Sequence, residues 1–364
     1  MMKKIGFISI VLTSYVIGGC NNATTDNRNP ALILDTCRLP GIPSEKTLHF
    51  NAGNVYYQSM DEPGKQTFKC FSWQQKRLVW SKDINQMGIN EGAITVTGEY
   101  VVPTLSDTVY LIAADGKEKI LKLEDRCKIN PLAFKNTFIL QDRGIGLKSF
   151  DARSLQELWV IRQNSHFTMS QPLLLDSSIV YVLDDQSIQS SNAANGKLNW
   201  RILVTDTFAL YDLYGADKDR IFVLSTNLKK DKQLTAINLK NGGLLWQVIV
   251  DRAVNELERD MIVTGNSIFC RGDSSVFSYS IQTGRNLRRY DYKSGIATNL
   301  VADKGENVLF GLADNTLMKI DDHGNDLPAA RFKSKLDRLY RFGDDIFLYS
   351  YPDLYVLDTP GQNK

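Results

Sequence analysis

The sequence predicts an all-β protein, an eight-bladed β-propeller closed by pairing of its N-terminal and C-terminal strands. Three observations predict this fold: a β-rich run that recurs along the chain, a second repeated motif ending near Trp, and an isolated N-terminal strand. The 364 residues are 43% hydrophobic, with 43 Lys and Arg against 41 Asp and Glu. These proportions are typical of water-soluble globular proteins and exclude disordered, collagen-like and polytopic membrane classes.

The recurring element is a short β-rich run, each copy preceded by a turn-forming residue. The copies start 38 to 47 residues apart, at Val55, Tyr100, Phe138, Ile179, Ile221, Ile268, Val308 and Ile346. A four-stranded unit of about 40 residues matches a propeller blade, whereas helical repeats of that length show a 3.6-residue period that is absent here. The eight copies therefore predict eight blades.

A second motif follows these strands: a turn with Gly or Asn, then a strand that starts near Trp. The clearest copies are Asn195–Trp200 (NGKLNW) and Asn241–Trp246 (NGGLLW). Because these Trp residues fall at repeat positions, we expect them to pack between blades rather than to bind a cofactor.

The two ends of the chain predict how the ring closes. The last repeat supplies strands at Ile346–Ser350 and Leu354–Leu357 and is then one strand short, while Ala31–Asp35 has no partner in its own repeat. Pairing these segments satisfies both exposed sheet edges. We therefore expect residues 30–364 to form one closed domain.

The first 19 residues have the pattern of an export signal. Lys3 and Lys4 precede an apolar run from Ile5 to Ile17, which is shorter than the about 20 apolar residues that a stable membrane-spanning helix needs. The sequence Ile17-Gly18-Gly19-Cys20 resembles the bacterial lipobox, so we expect cleavage before Cys20 and lipidation of its sulfur.

Residues 20–29 are polar and predict a flexible tether between the lipid and the fold. In Gram-negative lipoproteins an Asp after the lipidated Cys favours the inner membrane, and by that resemblance Asn21 predicts the periplasmic face of the outer membrane. Cleavage removes Lys3 and Lys4 and leaves 41 basic and 41 acidic side chains. This balance argues against nucleic acid as a partner.

No group of residues predicts a catalytic, cofactor-binding or metal site. The three histidines, His49, His166 and His323, lie near predicted turns and have no second ligand at metal spacing. Asp321–Asp326 lacks the spacing of an EF-hand, and Arg271-Gly272-Asp273 follows a strand; both segments are predicted to be turns. We therefore expect no enzyme activity and no small-molecule substrate.

Four cysteines remain after Cys20: Cys37, Cys70, Cys127 and Cys270. The periplasm is oxidising enough for disulfides to persist, and four cysteines allow three pairings. Buried thiols explain the residues equally well. None of the spacings is CxxC, which argues against a thioredoxin-like or zinc site.

The Gly-x-Leu-x-Trp-like turns resemble the repeats of pyrroloquinoline-quinone-type propellers. Together with the lipobox and the length, they resemble the BamB-like family of outer-membrane assembly lipoproteins, over residues 20–358. The resemblance implies a non-enzymatic scaffold that docks to the barrel subunit of the β-barrel assembly machinery. Quinone-dependent members of the wider class use a vicinal Cys-Cys pair, which this sequence lacks.

The resemblance does not assign partner-binding residues. By position, the family's two docking loops correspond to Gln163–Gln171 and Thr205–Tyr214, but the first lacks the family's Leu and Arg, and the second keeps only Asp206 and Asp212 as acids. An accessory scaffold for a secretion system or pilus is therefore an alternative. A third hypothesis, a ligand site in the central funnel, rests on analogy of fold alone.

Overall fold

The structure is a computed structural model. It describes residues 33–357 except for 44–47, 52, 63–64, 84–93, 97–98, 104–106, 114, 126, 128–129, 143–144, 163–170, 184–186, 204–208, 218 and 256–260. The predicted signal peptide, Cys20 and the tether lie outside the described residues.

The regular elements of the described residues are β-strands. The first half of the chain contributes β1 (Ile33–Arg38), β2 (Ile42–Pro43), β3 (His49–Asn51), β4 (Asn54–Glu62), β5 (Lys65–Ser72), β6 (Arg77–Asp83), β7 (Ile94–Val96), β8 (Glu99–Pro103), β9 (Thr108–Ala113), β10 (Glu118–Lys122), β11 (Leu132–Phe134), β12 (Thr137–Asp142), β13 (Gly146–Asp151), β14 (Glu157–Arg162), β15 (Leu173–Leu175), β16 (Ser178–Val182), β17 (Ser187–Asn192) and β18 (Leu198–Leu203).

The second half continues the same pattern. Its strands are β19 (Ala209–Asp217), β20 (Arg220–Thr226), β21 (Lys232–Asn238), β22 (Leu244–Val250), β23 (Met261–Thr264), β24 (Ser267–Arg271), β25 (Ser275–Ser280), β26 (Asn286–Asp291), β27 (Val301–Ala302), β28 (Val308–Gly311), β29 (Thr316–Ile320), β30 (Asp326–Arg331), β31 (Arg338–Phe342), β32 (Asp345–Ser350) and β33 (Asp353–Leu357).

The predicted all-β class is confirmed, and each recurring β-rich run is the second strand of an antiparallel sheet. The second and third strands are buried on both faces, as in β12 (TFILQD) and β13 (GLKSFD), whereas the fourth strand is mostly exposed, as in β14. Burial on both faces requires that each sheet packs between two neighbours, which is how blades stabilise one another.

The structure corrects the predicted eight blades. Within the described residues, seven sheets are regular four-stranded blades: β7–β10, β11–β14, β15–β18, β19–β22, β23–β26, β27–β30, and β31–β33 with β1. The repeat at residues 42–83 instead forms a five-stranded sheet in which β2 and β3 both pair with β4. The prediction of an eight-bladed propeller is therefore wrong: the described residues form seven blades, and the repeat at residues 42–83 forms a sheet of another kind.

Proline explains the irregular sheet. β2 pairs with the far end of β4 through Ile42 and Pro43, and β3 pairs with its near end through His49–Asn51. Pro40 and Pro43 have no backbone N–H, and Gly41 takes a positive φ of 83°, so one continuous strand cannot form here. Two short strands therefore share the edge that a single innermost strand occupies in the regular blades.

The predicted pairing of the chain ends is confirmed. β1 runs antiparallel to β33, from Ile33 opposite Leu357 to Arg38 opposite Asp353. On the other side of this closing blade, Phe347 stacks on Phe50 of the five-stranded sheet, with ring centroids 4.2 Å apart. The first and last repeats therefore share one hydrophobic cluster.

Trp residues pack between neighbouring sheets, as the sequence predicts. A Cβ added at Gly242 would lie 2.8 Å from Trp200, and one at Gly284 would lie 2.7 Å from Trp246. Each indole also donates a hydrogen bond into the following sheet, from Trp200 Nε1 to Leu239 O at 2.8 Å and from Trp246 Nε1 to Ile281 O at 3.2 Å. The glycine is needed both for its positive φ and for the space that the ring occupies.

We expect Gly242→Ala to lower the free energy of unfolding by about 3 kcal/mol, because the new methyl group meets Trp200 in addition to straining the backbone. Gly343→Ala is the matched control: it has a positive φ of 59° but nothing within 4 Å of its added Cβ. We expect it to cost only about 1 kcal/mol. Chemical denaturation of both variants measures the difference, and equal losses would contradict the packing role of Trp200.

Candidate functional site: the connector face

The sheets have two ends, which define two faces of the ring. We call the face that carries the second-to-third turns and the links between successive sheets the connector face. We call the face that carries the first-to-second and third-to-fourth turns the turn face. Trp200 and Trp246 bind the turn face of the following sheet, at the carbonyl oxygens of Leu239 and Ile281. The same two residues also join the turns of their own sheets: the backbone N–H of Leu239 donates to Asp219 O, and that of Ile281 donates to Asn266 O. The turn face is therefore stabilised by a repeated contact.

The connector face is stabilised by contacts that differ from sheet to sheet. Asp142, at the end of β12, accepts hydrogen bonds from the backbone N–H of Glu124 (3.2 Å) and Asp125 (3.1 Å) in the link before its sheet. In the closing blade, Asp337 accepts one from the N–H of Tyr351 at 2.9 Å. Carboxylates thus fix individual links to individual turns.

Lys148 lies at the centre of the most buried of these contacts. Its Nζ is 3.2 Å from carboxylate oxygens of Asp142 and Glu124 and 3.5 Å from Glu157, while Asp142 is fully buried. Burial by itself lowers the pKa of the Lys148 ammonium, but the hydrogen bonds to Asp142 and Glu124 outweigh burial and raise it. The group therefore stays charged, and this buried pair fixes the link that contains Glu124.

A second contact joins two links directly. The backbone N–H of Asn130 donates to Gln171 Oε1 at 2.8 Å, and Gln171 Nε2 donates back to Asn130 O at 2.9 Å. Gln171 is the last residue of the first loop that the family resemblance points to. The rest of that loop, residues 163–170, lies outside the described residues.

The second predicted docking loop leads into β19. Residues 205–208 lie outside the described residues, and from Ala209 onward the backbone pairs with β20, with Ala209 opposite Thr226. The turn that follows Thr226 presents Leu228, whose side chain is fully exposed. Single exposed apolar residues are common on protein surfaces. Leu228 is singled out because its turn follows Thr226, which pairs with Ala209, the first described residue of this loop.

The structure places the histidines apart. His49 is on β3, where burial lowers its pKa to about 4 and keeps the ring neutral. His323 is exposed in a turn, and His166 lies outside the described residues. In the part of the chain that the structure describes, no three His, Cys, Asp or Glu side chains form a metal-binding group.

Both motifs that resembled sites are turns. Asp321 accepts hydrogen bonds from the backbone N–H of His323 and Asn325, so Asp321–Asp326 is the turn that leads from β29 into β30. Gly272 donates its N–H to Ser275 O, so Arg271-Gly272-Asp273 is the turn between β24 and β25. These predictions are confirmed.

The four described cysteines are buried thiols and form no disulfides. Cys37, Cys70, Cys127 and Cys270 lie in four different hydrophobic clusters. Burial raises the pKa of the Cys70 thiol to about 11, so it is neutral near pH 7. Of the two explanations left open by the sequence, the structure favours thiols that fill the core.

A shallow cavity of about 500 Å³ lies on the turn face between β23–β26 and β27–β30. Its walls include Tyr290, Glu306 and Arg288, which occupies the position of the repeated Trp. The Arg288 guanidinium donates to Gly324 O, so the sheet contact is kept although the indole is absent. Arg288 thus stands in the wall of this cavity where other sheets have an indole.

Sequence reasoning missed Lys148, Asp142 and Leu228. Lys148 is the one cation of the buried third strand β13, and Leu228 is a lone apolar residue within a turn of polar and charged residues. Both departures from the local pattern are visible in the sequence, although their partners are not. Among the described residues, no helix has the length and apolar character needed to span a membrane.

Comparisons with known proteins agree with this architecture. A family model described as "Outer membrane protein assembly factor BamB" matches residues 64–209 and 184–330. A search of curated proteins finds no significant match.

Three solved structures share the fold at low sequence identity. BamB from Moraxella catarrhalis is 15% identical with a TM-score of 0.67, covering 90% of this chain and 100% of that one. The computationally designed Ika8 protein is 18% identical (TM-score 0.65, 89% and 99% covered), and Saccharomyces cerevisiae Sqt1 is 11% identical (TM-score 0.66, 91% and 99% covered). Because the family model spans well over half of the sequence, the chain belongs to the family of the outer-membrane protein assembly factor BamB.

Proposed function

We propose that this protein is a non-enzymatic, lipid-anchored scaffold on the periplasmic face of the outer membrane. It assists the β-barrel assembly machinery through contacts with the barrel subunit. The observation that carries the proposal is the family match over residues 64–330, on a propeller that the ring closure keeps rigid. A rigid ring with variable links suits a protein that holds other proteins in place.

The position of β1 sets where the proposed tether would join the ring. Ile33 pairs with Leu357, so β1 begins at the turn face and ends at the connector face with Arg38. Cys20 is 13 residues before Ile33, and a chain of that length spans at most about 45 Å. In this proposal the tether enters the ring at the turn face, where β1 begins, and partners bind the connector face.

Affinity capture of the native lipoprotein from its own envelope, after mild cross-linking, tests the role. We expect the barrel subunit of the assembly machinery to be recovered, and we expect Leu228→Asp to reduce recovery at least fivefold, because it places a charge in an apolar contact. Gln282→Asp is the matched control, since Gln282 is an exposed turn residue on the turn face.

The capture contradicts the assembly role if it recovers subunits of a secretion system or pilus and no assembly subunit. Equal losses for the Leu228 and Gln282 variants would contradict the assignment of the docking surface to the connector face.

Fractionation of the envelope tests the anchor separately. We expect Cys20→Ser to release the protein from membranes, since it removes the lipidated sulfur, and Asn21→Asp to move it to the inner membrane. Asn27→Asp is the matched control, because it makes the same charge change elsewhere in the predicted tether. We expect this variant to keep the outer-membrane location. Membrane-bound Cys20→Ser protein would refute lipid anchoring at this residue.

A further inference from the structure

The closing blade and the five-stranded sheet meet at an interface that we call the closing seam. On the turn face of other interfaces, an indole of one sheet packs on a glycine in the third-to-fourth turn of the next, as Trp80 does on Gly116 and Trp159 on Gly196. The outer strand at the closing seam is β1 (ILDTCR), which has no aromatic residue. The closing seam is therefore held differently at this place.

Lys76 occupies the turn position at the closing seam that glycine occupies in other sheets. Its φ is 54°, and the glycines at the corresponding positions also have positive φ: Gly116, Gly196, Gly242 and Gly284. Positive φ is unfavourable for a residue with a Cβ, and glycine adopts it readily. A lysine at this position therefore points to a role for its side chain.

The Lys76 ammonium crosses the closing seam to β1. Its Nζ lies 2.5 Å from Asp35 Oδ2 and donates to Thr36 O at 2.9 Å. The Lys76 side chain is 28% exposed and that of Asp35 is 40% exposed, so salt reaches the pair. An ion pair in contact with solvent weakens as salt screens it, whereas an indole packed on a glycine has no charge to screen. We therefore expect the turn-face side of the closing seam to respond to ionic strength.

The rest of the closing seam is apolar and contains a cysteine. Cys37 of β1 is 5% exposed and belongs to the cluster that Phe50 and Phe347 form across the seam. Its thiol is shielded as long as the two sheets stay in contact. Three further thiols are buried in other clusters: Cys70, Cys127 and Cys270. The four thiols therefore report on four different parts of the ring.

We propose that the ion pair between Asp35 and Lys76 is an ionic latch, and that the ring opens first at the closing seam when this pair is screened or removed. Opening separates the closing blade from the five-stranded sheet, while β1 stays paired with β33. Closure of the ring thus depends on salt concentration at the seam where β1 begins. The proposal is independent of the assembly role, because opening is measured on the purified chain.

Alkylation of the folded full chain by N-ethylmaleimide, with each cysteine followed by mass spectrometry, tests the latch. Between about 10 mM and about 1 M sodium chloride, the Debye length falls from about 30 Å to about 3 Å. We expect alkylation of Cys37 to become about threefold faster over this range, because the open seam is more populated. Alkylation of Cys127 and Cys270 is expected to change less than about 1.5-fold, since their clusters lie away from the seam.

Two variants remove the latch from either side. Lys76→Gly removes the cation but gives the turn the residue that positive φ favours. Asp35→Asn removes the carboxylate charge but keeps an oxygen for the backbone N–H of Thr36, which donates to Asp35 Oδ1 at 2.8 Å. We expect each variant to alkylate at Cys37 about threefold faster at low salt, with little further change as salt is added.

Lys117→Gly is the matched control. Lys117 forms its ion pair with Asp115, inside one turn between β9 and β10, so this variant removes a pair that joins no two sheets. We expect it to leave the alkylation rate of Cys37 and its salt dependence unchanged.

Two results would overturn the proposal. An unchanged Cys37 rate in Lys76→Gly and Asp35→Asn would show that the ion pair does not hold the seam. Equal acceleration of all four cysteines, by salt or in the variants, would show that the ring opens as a whole and has no latch at the closing seam.

Discussion

The pairing of β1 with β33 is the constraint on which the rest of the ring depends. The blades bury both faces of their central strands, so each needs a neighbour on either side, and an open row would leave two sheets half exposed. β1 supplies the outer strand that the last repeat lacks, and Phe347 of that blade stacks on Phe50 of the five-stranded sheet. Closure thus joins the first and last repeats, so that neither terminal sheet lacks a neighbour.

The two faces of the ring are stabilised in different ways, which bears on function. On the turn face, an indole of one sheet packs on a glycine of the next, so changes there weaken the ring itself. On the connector face, stabilisation depends on particular pairs such as Lys148 with Asp142. Links between sheets can therefore differ in sequence while the ring is preserved, as expected of a scaffold that binds proteins through its loops.

Much of the fold could be predicted because its signals are local and repeated. The second strands, the Trp positions and the closing pair all follow from spacing, and the structure contains each of them. The irregular first sheet could not be predicted by counting second strands, since its departure lies in the innermost strand, where Pro40 and Pro43 interrupt pairing. Lys148 and Asp142 are brought together by one hairpin, and no repeat period marks them.

Hydrogen exchange of the full chain, followed by mass spectrometry, tests ring closure most directly. If β1 completes the closing blade, the backbone amides of residues 33–38 exchange as slowly as those of residues 353–357, because the two strands open together. Exchange of residues 33–38 at the rate of an unfolded peptide, while residues 345–357 remain protected, would show that the ring stands without β1 and would contradict the account.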